Sequence, residues 1–114
     1  LAESEIPGDF SMAETYLAQA VEGLRKAGQQ QYLAPGLIAR AELFRLRQKY
    51  EDAWADLQEG LEIARLGGMK LFLADYHLEA ARLCDAEGKN EEAQTHREEA
   101  EKLIKEMNYG RRKF

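Results

Sequence analysis

A histidine and a cysteine, His77 and Cys84, have residue types and a spacing that could support chemistry. They lie seven positions apart, which places both on one face of a helix. An imidazole and a thiol on one face could bind a metal ion or act as base and nucleophile. No third residue stands in the sequence to orient them, and a cysteine in an apolar stripe usually packs in the core. We therefore expect both side chains to pack inward beside Ala81, with no catalytic or metal-binding role.

Two pairs of adjacent carboxylates could also serve as acid and base. Glu91 and Glu92 form one pair, and Glu98 and Glu99 form the other. Neighbouring helix positions point about 100° apart, and no apolar segment surrounds either pair to shift a pKa. We expect these carboxylates, and His96 between them, to be solvated. The sequence also has no glycine-rich phosphate loop, nucleophile elbow or metal-binding helix motif. It therefore predicts a protein that is not an enzyme and needs no cofactor.

The composition favours an all-α protein. Of the 114 residues, 45% are hydrophobic and 32% are charged, which is enough for one modest core. Alanine, leucine, glutamate, lysine, arginine and glutamine dominate, and these are good helix formers. A net charge of -5 argues against general binding to nucleic acid. The single Cys84 excludes an internal disulfide and fits a reducing cytoplasm, and no apolar run approaches the ~20 residues that span a membrane.

Three alanines at a fixed interval indicate a repeat. Ala13, Ala53 and Ala93 are equally spaced along the chain, and each comes after a turn and a polar stretch. Their spacing falls within the range of about 20 to about 50 residues that is the signature of a stacked repeat array. In such an array each unit buries its apolar face against its neighbour.

Apolar residues at spacings of three and four predict five helices. Glycines are expected to end the first, third and fourth of them, because glycine tolerates positive φ. Pro35 is expected in the first turn of the second helix or at a kink near its start. The expected limits are Asp9 and Gly28 for the first helix, Gln48 for the end of the second, Gly67-Gly68 for the end of the third, about Met69 to Glu87 for the fourth, and Asn90 as the N-cap of the fifth.

The repeated pattern resembles the tetratricopeptide repeat in a longer form. Ala41 and Phe44 match the small and aromatic positions of the first helix, Tyr50 the turn, and Ala53 the small position of the second helix. The resemblance implies a helical repeat, in which antiparallel helix pairs stack into a superhelix. The chain departs from the family pattern at Gly60, Cys84, Arg97 and Glu101. The last two are charged where the family has large apolar residues, so the array is expected to end at the fifth helix.

The same register divides the chain into units of one domain. Residues 1–28 are expected to hold the second helix of a truncated repeat, 29–67 a repeat, 68–108 the terminal repeat, and 109–114 a basic tail. Leu1 to Pro7 would then be the last turn of a missing helix, so the chain is expected to be a fragment.

Several short segments extend the resemblance to a class of longer proteins. Gly68-Met69-Lys70 and the ending Asn108-Tyr109-Gly110-Arg111-Arg112 look like parts of the C-terminal repeat regions of large bacterial multidomain signalling ATPases and related regulators. The tail residues Arg111, Arg112 and Lys113 are expected to be solvated beyond the last helix. Contact of this tail with phosphate or an acidic partner is the alternative.

In this family the first helix of each pair lines a concave groove, and the resemblance assigns two matching stripes to it. One stripe holds Ile38, Glu42, Arg45 and Lys49, and one repeat period later the other holds Leu78, Arg82, Asp85 and Lys89. Stacked helices lie ~8–10 Å apart, so Glu42 is expected to face Arg82, and Arg45 to face Asp85. These charges either satisfy one another or form a polar floor for a ligand, with Ile38 and Leu78 as apolar contacts.

The favoured function is a protein interaction module, part of a larger bacterial regulatory protein, that binds a peptide or protein segment in this groove. The alternative is a structural scaffold or self-association domain. In that case Tyr16 and Leu17, at the truncated N-terminal edge, would be short of cover and would form a homodimer contact. Trp54, beside a core alanine, is expected to pack between repeats.

Overall fold

The computed structural model describes the backbone of residues 2–112 and the side chains of residues 11–108. Within this part the chain is helical except for four short turns, and it has no strand. Its helices are α1 (Ala2–Ala27), α2 (Gln30–Leu46), α3 (Tyr50–Gly67), α4 (Lys70–Ala86) and α5 (Asn90–Arg112). The expected all-α helical-repeat fold is confirmed. No helix of the described part combines the length and the apolar character that crossing a membrane requires.

Four turns connect the helices, and they recur at an even spacing along the chain. Each contains a residue with φ between 64° and 80°, namely Gly28, Gln48, Gly68 and Gly88. After each of these residues, the next amide donates to the carbonyl five positions back, as in Lys49 to Phe44 at 2.8 Å and Lys89 to Cys84 at 2.8 Å. This is the hydrogen bond that closes a Schellman motif, which satisfies carbonyls left free at a helix end. Because the turns are evenly spaced, every second helix repeats the same register, which explains the even spacing of the three alanines.

The helices pack as two antiparallel pairs. The most extensive packing is between α2 and α3 and between α4 and α5, while α1 packs on α2, and α4 packs on both α3 and α2. Small residues lie where the helices approach most closely, and Ala53, Ala64, Ala93 and Ala100 are all fully buried. The main cluster of the core spans α2, α3 and α4 and includes Leu57, Phe72, Tyr76 and Leu83. Trp54 packs against this cluster and against a second one that contains Ala93.

Gly60 shows why the first pair departs from the family pattern at an expected alanine. A Cβ atom built on Gly60 would lie 2.8 Å from Cζ of Phe72, which is closer than carbon atoms approach without repulsion. Phe72 belongs to the following helix pair and is itself buried. The glycine therefore leaves space for the ring that joins the two pairs.

The first helix differs from the expectation. It runs without a break from Ala2 through Pro7 and Asp9 to Ala27, so neither the cap at Asp9 nor a separate turn ending at Pro7 occurs. Proline at this position removes one backbone hydrogen bond, and the rest of the ladder continues. Leu1 lies outside the described residues.

The last helix also differs in its limits. Asn90 is the first residue of α5 rather than its N-cap. The helix continues to Arg112, so it includes residues 109–112, although it was expected to end at 108. Residues 113 and 114, and the side chains of the basic tail, lie outside the described part.

Candidate functional site

A groove runs between α2 and α4, the first helices of the two pairs. One depression of about 210 Å³ is lined by Pro35, Ile38, Glu42, Phe72, Asp75, Leu78, Glu79 and Arg82. A second depression of about 320 Å³ is lined by Pro35, Met69, Lys70, Leu71, Phe72 and Asp75. Because three residues belong to both, the two depressions form one continuous surface, which we call the α2–α4 groove.

Helix periodicity explains how these side chains meet. Asp75, Leu78 and Arg82 stand at spacings of three and four in α4, which places them on one face. Ile38 and Glu42 precede Leu78 and Arg82 by one repeat period and line the same depression from α2. Equivalent positions of the two repeats therefore face one another across the groove.

The groove brings together half of the predicted site. Ile38, Glu42, Leu78 and Arg82 line it. The other four predicted residues form ion pairs, which are Arg45 with Glu79, Lys49 with Glu14, Asp85 with Arg97, and Lys89 with Glu87. Of these partners only Glu79 belongs to the groove.

Glu79 is the central charged residue of the groove, and only 1% of it is exposed. Nε of Arg45 donates to Oε2 of Glu79 at 2.7 Å, and Nη1 of Arg82 donates to Oε1 at 3.1 Å. Arg45 comes from α2, whereas Glu79 and Arg82 come from α4. A buried carboxylate without partners destabilises a fold by several kcal/mol, so Glu79 needs both guanidinium groups. The result is a polar bridge between the two walls of the groove.

This bridge overturns the expected pairing of the charges. Glu42 and Arg82 line the same depression, as expected, but they form no ion pair with each other, and Arg45 pairs with Glu79 rather than with the expected Asp85. Both arginines bind Glu79 instead. Asp85 pairs with the neighbouring helix instead, where Nη1 of Arg97 in α5 donates to it at 2.9 Å.

A second buried carboxylate lies between α2 and α3. Arg40 donates to both oxygens of Asp56, from Nε at 2.7 Å and from Nη2 at 2.9 Å. The hydrogen bond with Asp56 raises the pKa of Arg40, so the guanidinium stays charged. Sequence reasoning missed both Asp56 and Glu79, although each carries a signal. Asp56 follows Ala53 by three positions and Glu79 follows Tyr76 by three, so each is a carboxylate inside an apolar stripe.

Two histidines meet between α4 and α5. Nδ1 of His77 lies 2.9 Å from Nδ1 of His96, so His96 is half-buried and not solvated as expected. Its position is explained by the rings of Tyr76 and Trp54, which lie near it with centroid separations of 6.0 Å and 6.5 Å. Burial lowers the pKa of both histidines, and the proximity of His96 lowers that of His77 further.

Cys84, the other residue with possible chemistry, is fully buried. Burial raises the pKa of its thiol, which disfavours the thiolate that nucleophilic chemistry needs. The four carboxylates that were expected to be solvated, Glu91, Glu92, Glu98 and Glu99, are exposed. No group of three or more potential metal ligands occurs among the described residues.

The predicted self-association edge lies on α1. Tyr16 is 72% exposed and Met12, one turn earlier, is 74% exposed. Leu17 is half-buried. A depression of about 370 Å³ on this face is lined by Ser11, Met12, Thr15, Tyr16 and Gln19. This surface is separate from the α2–α4 groove, because the two share no residue.

Comparisons with known proteins identify no relative. No protein-family profile matches the chain, and neither a curated protein nor a solved structure matches it.

Proposed function

We propose that this chain is a helical-repeat module that binds a peptide or protein segment in the α2–α4 groove and catalyses no reaction. The observation that carries the proposal is the continuous groove itself, with apolar residues along its floor and a buried ionic bridge between its walls. Both features favour binding of a segment over binding of a small metabolite. A small-molecule site would be more enclosed and would converge on a few polar groups.

The floor of the groove can bury apolar side chains of a partner. Ile38 comes from α2, and Phe72 and Leu78 come from α4. Each square ångström of apolar surface that a partner removes from water stabilises the complex by about 25 cal/mol before the costs of association. A few anchoring side chains normally supply most of the binding energy of such a surface.

The walls of the groove are held in place before any partner arrives. Glu79 joins α4 to Arg45 of α2 and at the same time holds Arg82 of its own helix. A surface that is already ordered does not have to be fixed by the ligand, which lowers the free-energy cost of binding.

Two carboxylates of the groove favour a segment that carries a basic residue beside them, while the cations Lys70 and Arg82 line the same groove. Asp75 is exposed and has no ion pair among the described residues, and Glu42 reaches Arg45 only at 4.0 Å. These two carboxylates are open to a lysine or arginine of a partner. The positive charge of Arg82, in contrast, is partly offset by Glu79.

The resemblance to the tetratricopeptide repeat supports the biological setting that we propose. The module would belong to a larger bacterial regulatory protein of the cytoplasm and would bind protein rather than nucleic acid or lipid. The net charge of -5 supports the exclusion of nucleic acid.

The experiment is affinity capture from a source lysate with three forms of the chain. The first is unchanged, the second carries Ile38→Glu and Leu78→Glu, and the third carries Leu66→Glu. Leu66 is 83% exposed and lies outside the groove, so its variant controls for replacing an apolar residue by glutamate elsewhere on the surface. Circular dichroism first establishes that all three are folded. We expect a protein that the unchanged chain and the Leu66 variant retain and the groove variant loses.

The captured partner then allows a quantitative test of the rim. Asp75→Lys should weaken its affinity at least about tenfold, or about 1.4 kcal/mol, in isothermal titration calorimetry. Equal capture by all three forms would contradict binding in the groove, and unchanged affinity of the Asp75 variant would contradict the basic character of the partner.

A second candidate function is self-association through α1, which the exposure of Met12 and Tyr16 supports. Light scattering over a range of concentrations tests it directly. A mass that rises with concentration and returns to the monomer value in a Tyr16→Glu variant would favour this function. A constant monomer mass would exclude it.

A further inference from the structure

The contact between His77 and His96 has a geometry that constrains where protons can be. The two Nδ1 atoms are 2.9 Å apart and the ring centroids are 5.2 Å apart. The distance between the ring centres equals the distance between the two nitrogens plus the distance from each nitrogen to the centre of its own ring. The nitrogens therefore face one another along the line that joins the ring centres.

This arrangement suits a shared proton and not a shared metal ion. A metal bound to both rings needs the two nitrogen lone pairs to converge on a third point, whereas here they point at each other. At 2.9 Å the contact is a hydrogen bond, in which one Nδ1–H donates and the other Nδ1 accepts. The pair thus requires that at least one ring be neutral.

The first proton that the pair takes up is compatible with the contact. In the neutral pair, the donor ring has a free lone pair on Nε2, and the acceptor ring carries its proton on Nε2. A proton added to Nε2 of the donor ring leaves the hydrogen bond intact and makes it charge-assisted. The second proton has only one lone pair to bind, which is Nδ1 of the acceptor. That proton breaks the hydrogen bond and places two N–H groups and two positive charges against each other.

The surroundings of the pair come from three helices. Tyr76 of α4 lies against both rings, and its pKa is raised by burial, so it stays neutral. Trp54 of α3 lies beside His96. Glu92 and Glu99 of α5 favour the charged form of His96, and burial opposes it more strongly.

We propose that the His77–His96 pair is a proton-sensitive latch between α4 and α5, which is closed while one ring is neutral and is opened by the second proton. The latch joins the two helices of the second pair at the point where α3 packs on them. Its opening weakens the attachment of α5 to α4. This inference does not depend on the proposed binding function.

The direction of the pH dependence follows from the two protonation states. The folded chain resists the second proton, whereas the histidines of the unfolded chain take up protons at their ordinary pKa of about 6.5. Below that pH the unfolded state binds more protons, so the stability from the latch is present above it and falls as the pH is lowered.

The test compares the unchanged chain with His77→Asn in urea unfolding between about pH 8 and about pH 5. An asparagine amide can replace the Nδ1 group of His77 and accept from His96 in either protonation state. All carboxylates are retained, so their contribution to the pH dependence cancels. Trp54 is the only tryptophan in the sequence, and its emission reports the state of His96 beside it.

We expect the unfolding constant of the unchanged chain to rise more steeply as the pH falls than that of the variant. The excess increase in the unfolding constant should be about tenfold for each pH unit by which the folded chain lowers the pKa of the second protonation step. Identical pH dependence in the two proteins would overturn the proposal.

NMR titration of the unchanged chain provides a readout that does not require the variant to fold. The imidazole signals should show two coupled steps, with the second displaced to lower pH. Two independent histidines, each titrating at its ordinary value, would equally overturn the latch.

Discussion

The two helix pairs place different polar residues at the same position. Asp56 in α3 and His96 in α5 are separated by one repeat period and occupy equivalent places in their pairs. Asp56 accepts two hydrogen bonds from Arg40, whereas His96 meets His77. The position equivalent to Arg40 in the second pair is an alanine, and the position equivalent to His77 in the first pair is a leucine. Each pair therefore has its own polar contact across the same helix interface.

The difference shows how one backbone frame can support two kinds of attachment. The guanidinium of Arg40 is charged at every pH near neutrality, so the first pair is joined by a permanent ion pair. The contact in the second pair exists only while one ring is neutral. The first pair is thus expected to remain intact under conditions that loosen the second.

The largest expected effect comes from breaking the permanent contact. Arg40→Ala leaves the buried carboxylate of Asp56 without a partner, and we expect the free energy of unfolding to fall by about 3–5 kcal/mol. Urea denaturation monitored by circular dichroism measures this change. Arg65→Ala, at an exposed position of α3, should change stability by no more than about 0.5 kcal/mol.

A double variant distinguishes the effect of an unpaired charge from the effect of lost packing at the same site. Arg40→Leu combined with Asp56→Leu removes both charges and keeps apolar volume between the helices, so it should recover most of the lost stability. If the double variant is as unstable as Arg40→Ala, packing at this site rather than the uncompensated charge is responsible.

A smaller effect is expected from making the two pairs alike at another position. Gly60 in the first pair corresponds to Ala100 in the second. Gly60→Ala favours the helix by propensity, but its methyl group would lie 2.8 Å from Cζ of Phe72. We expect a net loss of about 1–3 kcal/mol through overpacking, measured by thermal and urea denaturation.

The overpacking has a specific partner, so it can be tested by a double-mutant cycle. Phe72→Leu removes the ring atom that the new methyl group meets. If Phe72 causes the effect, Gly60→Ala should cost less in the Phe72→Leu background than in the unchanged chain. Additive costs would show that the steric contact is not the cause.

The helices could be predicted from the sequence because the features that indicate them recur in each repeat. The evenly spaced alanines, the apolar spacing and the turn glycines each predicted the same helices. The partners of the charged side chains could not be predicted in the same way. A repeat period states which backbone positions are equivalent, but long side chains such as Arg45 and Arg82 reach diagonally to whichever carboxylate is most buried.

The same limit explains why the histidine pair was missed. His77 and His96 are not equivalent positions of the repeat, and they stand on different helices of one pair. His96 occurs among glutamates, which by itself indicates a solvated face. Its burial depends on the rings of Trp54 and Tyr76, and one-dimensional spacing gives no information on where those rings meet.

The smallest expected effect concerns the turns, which are the most uniform feature of the two pairs. Gln48 has φ of 64°, whereas its equivalent Gly88 has φ of 80°. A left-handed conformation costs a non-glycine residue about 1–2 kcal/mol, and glycine in its place gives back about 0.5–1 kcal/mol as entropy of the unfolded chain. We therefore expect Gln48→Gly to stabilise the fold by about 0.5–1 kcal/mol in urea denaturation.

Gln58→Gly, at an exposed position inside α3, provides the matched control and should destabilise the fold by a similar amount. Equal destabilisation by both substitutions would mean that the strain at Gln48 is relieved by its surroundings, and that the turns of the two pairs are energetically equivalent despite their different residues.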